Sequence, residues 1–277
     1  MPTFSVITVC YNEHKNIKRT LDSVVQQTCT DYELIVVDGG STDGTTDIIR
    51  QYADHIAWWC SEPDGGTYNA MNKGVEHAKG EYVIFMNAGD WFYGKNVLET
   101  VKSAGLKTDV IEGYVIRSDN GKRVRDKYTD IYAHIFADTL SHQGTFVRHN
   151  LLLSHPFDEK YKIVADWKLW IEILIIERCS YAFINTNIAY YDMTGLSSDP
   201  SKVREEREQV YQELFPPHIV GLIHSYFKTN DLALVKYANY LYRYSPRAYH
   251  IVRKIAKRVV KIVDRFGRSN STLEEIF

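Results

Sequence analysis

The 277-residue sequence contains no run of 18 apolar residues, so it predicts no transmembrane helix. Its first residues have neither a basic start nor a long apolar core, and we therefore expect no signal peptide. Its four cysteines form no C-x-x-C pair, which disfavours a zinc site and is typical of reduced thiols. With 33 basic and 35 acidic side chains it has no overall positive excess, so no nucleic-acid partner is expected. These absences favour a cytoplasmic protein.

Two common phosphate-binding signatures are also missing. The sequence has no G-x-x-x-x-G-K-[ST] loop and no G-x-G-x-x-G between a strand and a helix. It does contain "DGGSTDG", which is rich in glycine but acidic. Carboxylates next to a phosphate require a cation between them, and Mg²⁺ and Mn²⁺ prefer oxygen ligands. A metal-bridged diphosphate is therefore the favoured ligand type.

The first ninety residues alternate between strand and helix patterns. "FSVITVC" predicts a strand over Phe4–Cys10, and apolar spacings of three and four predict a helix over Lys15–Gln26. Two further helix-strand units and a fourth strand follow, which predicts a parallel, doubly wound α/β sheet. Such sheets bind ligands at the carboxyl ends of their strands. Polar residues cluster at those ends: Tyr11, Asn12 and Glu13; Asp38; Asp64; Asn87 and Asp90.

The remainder of the chain is less regular. "DVIEGYVIR", "GTFVRHNLL" and "YAFINTNIAYYDM" predict strands of a mixed sheet, and "ADWKLWIEILIIE" predicts a helix. From about residue 201 the chain is expected to be helical. We therefore expect an α/β domain over residues 1–200, whose pattern changes at about residue 90, and a helical extension over 201–277.

Seven motifs, in order and spacing, carry a resemblance to a known family. They are "SVITVCYNEHKNIKRTLDSVVQQT", "YELIVVDGGSTDGT", "EPDGGTYNAMNKG", "GEYVIFMNAGDWF", "HQGTF", "ADWKLW" and "GLSS". Over roughly residues 3 to 198 the sequence resembles the family 2 inverting glycosyltransferases of bacteria. That resemblance implies the A-type glycosyltransferase fold, a Rossmann-like, mostly parallel mixed sheet flanked by helices. It also implies that residues 1–200 are the catalytic domain, with a nucleotide-sugar half over 1–90 and an acceptor half over 91–200.

The resemblance implies a role for several side chains. Asp38 would accept a hydrogen bond from the base, most plausibly from uracil N3–H, which favours a UDP-sugar donor. His142, Gln143 and Trp167 would face the acceptor or the diphosphate. The remaining donor contacts would come from Thr8, Tyr11, Asn12, Glu13, Ser41, Asp64, Asn72 and Asn87.

The resemblance also implies the chemistry. Asp166 would be the general base that deprotonates the acceptor hydroxyl, and Asp90 would hold Mn²⁺ or Mg²⁺ against the diphosphate. The family usually carries D-x-D or D-x-D-D where this chain has Asn87, Ala88, Gly89 and Asp90, so a single carboxylate remains.

Simpler interpretations of these residues exist. Asp166 could cap the helix that follows it, and Asp38 could be a turn residue. His142 and Gln143 could be ordinary loop residues, Trp167 could belong to the core, and Asp192 with "TGLSS" could form either a loop over the donor or a plain turn. A sugar-nucleotide nucleotidyltransferase and a non-catalytic carbohydrate-binding protein are the alternative functions.

The C-terminal segment has an unusual charge. Nine Lys or Arg and one acid lie between Arg243 and Arg268, on a predicted amphipathic helix over about residues 247–268. Such a helix can lie in a membrane interface. We therefore expect peripheral attachment to anionic lipid at the inner face of the cell membrane. There the protein would be close to a glycan or polyprenyl-linked acceptor used in surface polysaccharide synthesis. The alternative is a surface helix that packs on its own domain. The sequence does not define an oligomeric state.

Overall fold

The computed structural model describes residues 1–105, 107–124, 131–192 and 200–230, together with 245, 247, 250–252, 254 and 255. Contacts divide the chain into two compact units, Met1–Val210 and Tyr211–Phe277. The functional division expected at residue 200 stays a prediction.

Nine strands form one sheet within the first unit. Their bounds are β1 Phe4–Cys10, β2 Tyr32–Asp38, β3 Trp58–Ser61, β4 Tyr82–Phe85, β5 Trp91–Phe92, β6 Val110–Arg117, β7 Arg123–Val124, β8 Thr145–Arg148 and β9 Tyr181–Tyr191. The helices are α1 Ile17–Val25, α2 Thr45–Arg50, α3 Thr67–His77, α4 Val97–Ser103, α5 Ile131–Ala137, α6 His149–Ser154, α7 Ala165–Trp170, α8 Pro200–Leu214 and α9 Pro217–Asn230.

The order of neighbouring strands is β3-β2-β1-β4-β8-β6-β9-β5, and β7 pairs with β6. The first four strands are parallel to one another, as the sequence predicts. Strands β1, β2 and β4 are buried along most of their length, as expected for their continuous apolar runs. Strands β8, β5 and β7 pair antiparallel, so the sheet is mixed beyond β4.

Helix α1 begins two residues later than predicted. Residues before it form a turn in which the carbonyl of Glu13 accepts hydrogen bonds from the amides of Asn16 and Ile17. The predicted face is correct, because Ile17, Leu21 and Val24 are fully buried against the sheet. Because of this turn, the residues that follow β1 stay at the carboxyl edge of the sheet, where the candidate site lies.

A π-helix, Ile171–Ile176, directly follows α7. The sequence predicts one continuous α-helix over this segment. The structure instead changes from α-helical to π-helical winding at Ile171. The sequence places Trp167, Trp170, Ile171, Leu174 and Ile175 on one apolar helix face. The first four are buried, whereas Ile175 is only partly buried. Segments of π-helix are rare and occur frequently at functional sites. This one lies immediately after the helix that carries Asp166.

In the second unit, α9 and the last residues of α8 are described. Leu222 and Tyr226, four residues apart on α9, are exposed. Most of the predicted basic helix over 247–268, and the loop "TGLSS", lie outside the described residues. Within the part of the chain that the structure describes, no helix combines the length and the apolarity needed to span a bilayer.

Candidate functional site

The carboxyl ends of the first strands meet at one edge of the sheet. Cys10 at the end of β1 pairs with Asp38, and Asp38 pairs with Ser61 at the end of β3. The amide of Ala88 donates to the carbonyl of Val9 at 3.0 Å, which brings the segment after β4 to the same edge. The four polar strand ends predicted from the sequence are therefore neighbours.

Asp38 is completely buried at this edge and is surrounded by donors. Its Oδ2 accepts hydrogen bonds from the amides of Gly40 (3.2 Å) and Ser41 (2.9 Å) and from the Ser61 hydroxyl (2.6 Å). Its Oδ1 accepts from the Ser41 hydroxyl and the Cys10 thiol. The carboxylate thus ties the ends of three strands together. Asp38 has no exposed surface in this conformation, and the base contact that the resemblance implies stays a prediction.

The loop after β1 is held by hydrogen bonds from the loop after β2. Asn12 has a left-handed backbone (φ 53°), and its Oδ1 accepts the amide of Thr42 at 2.9 Å. The amide of Glu13 donates to the Thr45 hydroxyl at 2.9 Å. Tyr11, by contrast, is 63% exposed and presents an aromatic ring at the edge.

Three other predicted contact residues are buried or hydrogen-bonded within the protein, and their contacts to a ligand stay predictions. Thr8 is fully buried inside the sheet. The carboxamide of Asn72 braces a loop, since its Nδ2 donates to the carbonyl of Phe157 (2.9 Å) and its Oδ1 accepts the Phe157 amide (2.9 Å). Trp167 is 1% exposed and its Nε1 donates to the carbonyl of Ile135 at 2.7 Å, so it belongs to the core.

Asp64 lies over Gly39 at the end of β2. A Cβ built on Gly39 would be 2.8 Å from Oδ2 of Asp64, so a larger residue there would displace the carboxylate. The Oδ1 of Asp64 accepts the amide of Gly66 at 2.8 Å. The carboxylate is half-buried and remains within reach of the carboxyl edge, as predicted for a donor contact.

Asp90 follows β4 and is 7% exposed. Its Oδ1 accepts the amide of Asp192 at 2.9 Å. Burial raises the pKa of Asp90 to about 6, against the opposing effects of the His142 charge and the Asp192 amide. The side chain of Arg19 approaches the same segment, because its Nη2 donates to the carbonyl of Gly89 at 2.9 Å while its guanidinium stacks over Trp91.

Asp166 is the second residue of α7 and is therefore not its N-cap. Its Oδ1 accepts hydrogen bonds from the amide of Trp167 (2.8 Å) and from the Tyr68 hydroxyl (3.1 Å). The single hydrogen of the Tyr68 hydroxyl is shared with the carbonyl of Ile163, whose oxygen lies at the shorter distance of 2.8 Å. Burial and the charge of Asp166 raise the pKa of Tyr68 well above its ordinary value, so the phenol stays a donor. Tyr68 was not predicted as a site residue. The one indication of it in the sequence is that it stands in the motif "GGTYNAM".

His142 connects the segment after β4 with Asp166. Its Nδ1 lies 3.5 Å from Oδ2 of Asp166, and its Nε2 lies 3.2 Å from Nδ2 of Asn87. Burial opposes protonation of the imidazole, but the hydrogen bond and charge of Asp166, together with the charge of Asp90, outweigh it and raise the pKa of His142. Gln143 is 2% exposed beside it.

The residues around Asp90 fit a hard divalent cation. Its carboxylate is desolvated, and the Oδ1 of Asn87 is a buried oxygen without a hydrogen-bond partner. Oxygen donors of this kind suit Mg²⁺ and Mn²⁺, which complete their shells with phosphate and water oxygens. Among the residues that the structure describes, no three His, Cys, Asp or Glu side chains converge, so protein groups alone would not enclose an ion.

The chain is similar in sequence and in fold to glycosyltransferases. The family model "Glycosyl transferase family 2" matches residues 5–163. A PGL/p-HBAD biosynthesis glycosyltransferase of Mycobacterium bovis is 31% identical over 201 residues, which cover 70% of this chain and 78% of that protein. An uncharacterised glycosyltransferase of Mycobacterium tuberculosis is 32% identical over 212 residues, covering 73% and 80%.

Solved structures share the fold. S. aureus TarS in complex with UDP has a TM-score of 0.63 at 23% identity, over 77% of this chain and 65% of the TarS chain. A mannosyltransferase of Pyrobaculum calidifontis in complex with GDP-Man and Mn²⁺ has a TM-score of 0.60 at 19% identity, over 96% and 83%. The predicted A-type glycosyltransferase fold is thereby confirmed. The family model spans the strands whose carboxyl ends form this edge of the sheet. This chain belongs to glycosyl transferase family 2.

Proposed function

We propose that this glycosyltransferase transfers a sugar, with inversion, from a nucleoside-diphosphate sugar to a hydroxyl of a glycan or lipid-linked acceptor. The observation that carries the proposal is the position of His142 between Asp166 and the segment that bears Asp90. One carboxylate is thus available for the acceptor and another for the diphosphate, at opposite sides of one imidazole.

Asp166 is the proposed base. As the acceptor oxygen bonds to the anomeric carbon, the bond from that carbon to the diphosphate oxygen breaks, and the hydroxyl proton moves to Asp166. Tyr68 and the Trp167 amide hold Oδ1, which leaves Oδ2, on the His142 side, to take the proton. A positioned base of this type contributes about 10²–10⁴-fold to the rate.

The nucleotide occupies the carboxyl edge in this proposal. Tyr11 stacks on the base. Asp64 lies against Gly39 in the glycine-rich loop that follows β2. Asp90 holds Mn²⁺ or Mg²⁺, and the bound ion would offset the negative charge that develops on the departing diphosphate. The Mn²⁺ complex of the archaeal mannosyltransferase supports use of a divalent ion. The UDP and UDP-GlcNAc complexes of TarS, and the GDP-Man complex, support nucleotide sugars as the donor class.

The acceptor side of the proposal rests on sequence. The basic C-terminal segment would hold the enzyme on anionic lipid at the cytoplasmic face of the membrane, where a polyprenyl-linked glycan is presented. Surface polysaccharide synthesis, of the capsule or O-antigen type, is the process this arrangement serves.

The direct test is donor hydrolysis. Purified protein is incubated with UDP-sugars and GDP-sugars in the presence of Mn²⁺, Mg²⁺ or EDTA, and free nucleoside diphosphate is measured. We expect slow, metal-dependent release from one donor without acceptor. A nucleotidyltransferase would instead release pyrophosphate from a nucleoside triphosphate, and a carbohydrate-binding protein would release nothing. Either result contradicts the proposal.

A further inference from the structure

The segment after β4 carries a single acid, Asp90, directly after a glycine with a left-handed backbone. Gly89 has φ of 109°, a left-handed conformation that side chains rarely adopt and glycine adopts freely. The family motif places a carboxylate in this stretch beside the one that Asp90 retains. A side chain at residue 89 would be strained here, so a second carboxylate has to come from another part of the chain.

Asp192 occupies the space in front of Gly89. A Cβ built on Gly89 would be 3.6 Å from the Cβ of Asp192 and 3.8 Å from its Oδ2. The Asp192 side chain is 26% exposed, so it is partly open to solvent. Its backbone amide donates to Oδ1 of Asp90 at 2.9 Å, although the two residues are 102 positions apart in the sequence.

Strand pairing fixes this contact. Asp90 precedes β5 and Asp192 follows β9, and the two strands pair antiparallel with Trp91 opposite Tyr190. Their rings stack at 4.9 Å between centroids. The approach of the two aspartates is therefore set by the sheet rather than by a loop conformation.

From this placement we infer that Asp192 is the second protein carboxylate of the metal site and replaces the acid that Gly89 cannot carry. The inference rests on the proposed use of a divalent cation at Asp90. Two carboxylates plus two diphosphate oxygens and water would give the octahedral oxygen shell that Mg²⁺ and Mn²⁺ require.

Arg19 provides the competing explanation. Its Nη2 lies 3.8 Å from Oδ2 of Asp192, so Asp192 could serve only to hold the arginine. That distance exceeds hydrogen-bond length, whereas the same guanidinium donates to the Gly89 carbonyl at 2.9 Å and stacks over Trp91. Arg19 thus has two contacts that fix it independently of Asp192.

The experiment measures Mn²⁺ binding to the full-length chain by the electron paramagnetic resonance signal of free Mn²⁺, alone and with UDP or GDP. Asp192→Glu and Asp192→Gln have nearly the same size and differ in charge. We expect the Gln variant to bind Mn²⁺ at least about tenfold more weakly than both the Glu variant and the wild type. Asp119→Asn, which removes another surface carboxylate that pairs with an arginine (Arg117), should bind like the wild type. Melting temperatures in EDTA show that each variant is folded.

Arg19→Met separates the two explanations. If Asp192 is a ligand, this variant binds Mn²⁺ as tightly as the wild type or more tightly, because a nearby positive charge is removed. If Asp192 only positions Arg19, Arg19→Met and Asp192→Gln weaken Mn²⁺ binding equally, and the inference is overturned. Equal Mn²⁺ affinity of the Glu and Gln variants also overturns it, while leaving the proposed function intact. A wild type that binds no Mn²⁺ with either nucleotide removes the metal from the proposed function and the inference together.

Discussion

The Nδ1 of His142 lies 3.5 Å from Oδ2 of Asp166, on the side of the carboxylate opposite Tyr68. The other ring nitrogen of His142 faces Asn87, three residues before Asp90. One imidazole therefore joins the proposed base to the proposed diphosphate side. Substitutions on either side of this imidazole are expected to change the rate of sugar transfer more than the stability of the fold.

Asp166→Asn keeps the size of the side chain and its ability to accept the Trp167 amide, but it cannot take a proton. We expect kcat to fall at least about a hundredfold while donor binding, measured by nucleotide titration, stays within a few-fold of wild type. A variant with normal kcat and a lower melting temperature would show that Asp166 only stabilises the start of α7.

Tyr68→Phe removes the hydroxyl that holds Oδ1 of Asp166. We expect a kcat loss of roughly tenfold, smaller than that of Asp166→Asn, and a stability loss of about 1–3 kcal/mol because a hydrogen bond to a charged group disappears. Tyr52→Phe is the matched control, since the Tyr52 hydroxyl donates to Asp22 at 2.6 Å on α1, which contributes no proposed catalytic group. Equal kcat losses in the two variants would contradict the positioning role of Tyr68.

Asp38→Asn tests whether this carboxylate serves the fold. Its five donors include two backbone amides and three side chains, and Asn replaces one accepting oxygen by an NH₂ group. We expect urea denaturation to show a loss of about 2–4 kcal/mol in the free energy of unfolding. If stability is unchanged and UDP affinity falls, the base contact implied by the family resemblance was correct after all.

Asp90→Asn is expected to stabilise the metal-free protein. The pKa of Asp90 is about 6 in the native state against 3.8 ordinarily, so the native state binds the proton more tightly than the unfolded chain. Its stabilising contribution is complete below about pH 3.8 and is lost as the pH rises to about 6. At pH 7.5 the variant should therefore be more stable by about 1–3 kcal/mol. Urea midpoints in EDTA at pH 4.5 and 7.5 measure this, and the same difference at both pH values would contradict it.

The basic C-terminal segment gives the membrane prediction. Replacing Lys257, Arg258, Lys261 and Arg265 by Gln should abolish co-sedimentation with vesicles that contain anionic lipid, because each basic residue near the surface contributes about 1 kcal/mol. Wild-type protein should be released by high salt, and donor hydrolysis should be equal in both proteins. Equal sedimentation of the two proteins would reject the charge-based anchor.

Local patterns were sufficient for the first half of the fold. Period and composition predicted β1, β2 and β4, and parallel strands necessarily bring their polar ends to one edge. Burial was harder to predict, because neither Asp38 nor Trp167 carries a local signal for the number of neighbours that enclose it. The approach of Asp192 to Asp90 depends on the pairing of β5 with β9, which spans about a hundred residues and has no local signature.

The π-helix after α7 has a consequence for chain length. A π-helical turn contains one residue more than an α-helical turn, so Ile171–Ile176 includes a residue that regular winding would not need. If one residue were deleted there, the segment could change from π-helical to α-helical winding. Asp166 lies before this segment and would keep its position. A deletion between Ile163 and Ala165 would instead turn α7 by about 100° and carry Asp166 away from Tyr68. Related chains could therefore differ in length just after this helix while keeping its first turn.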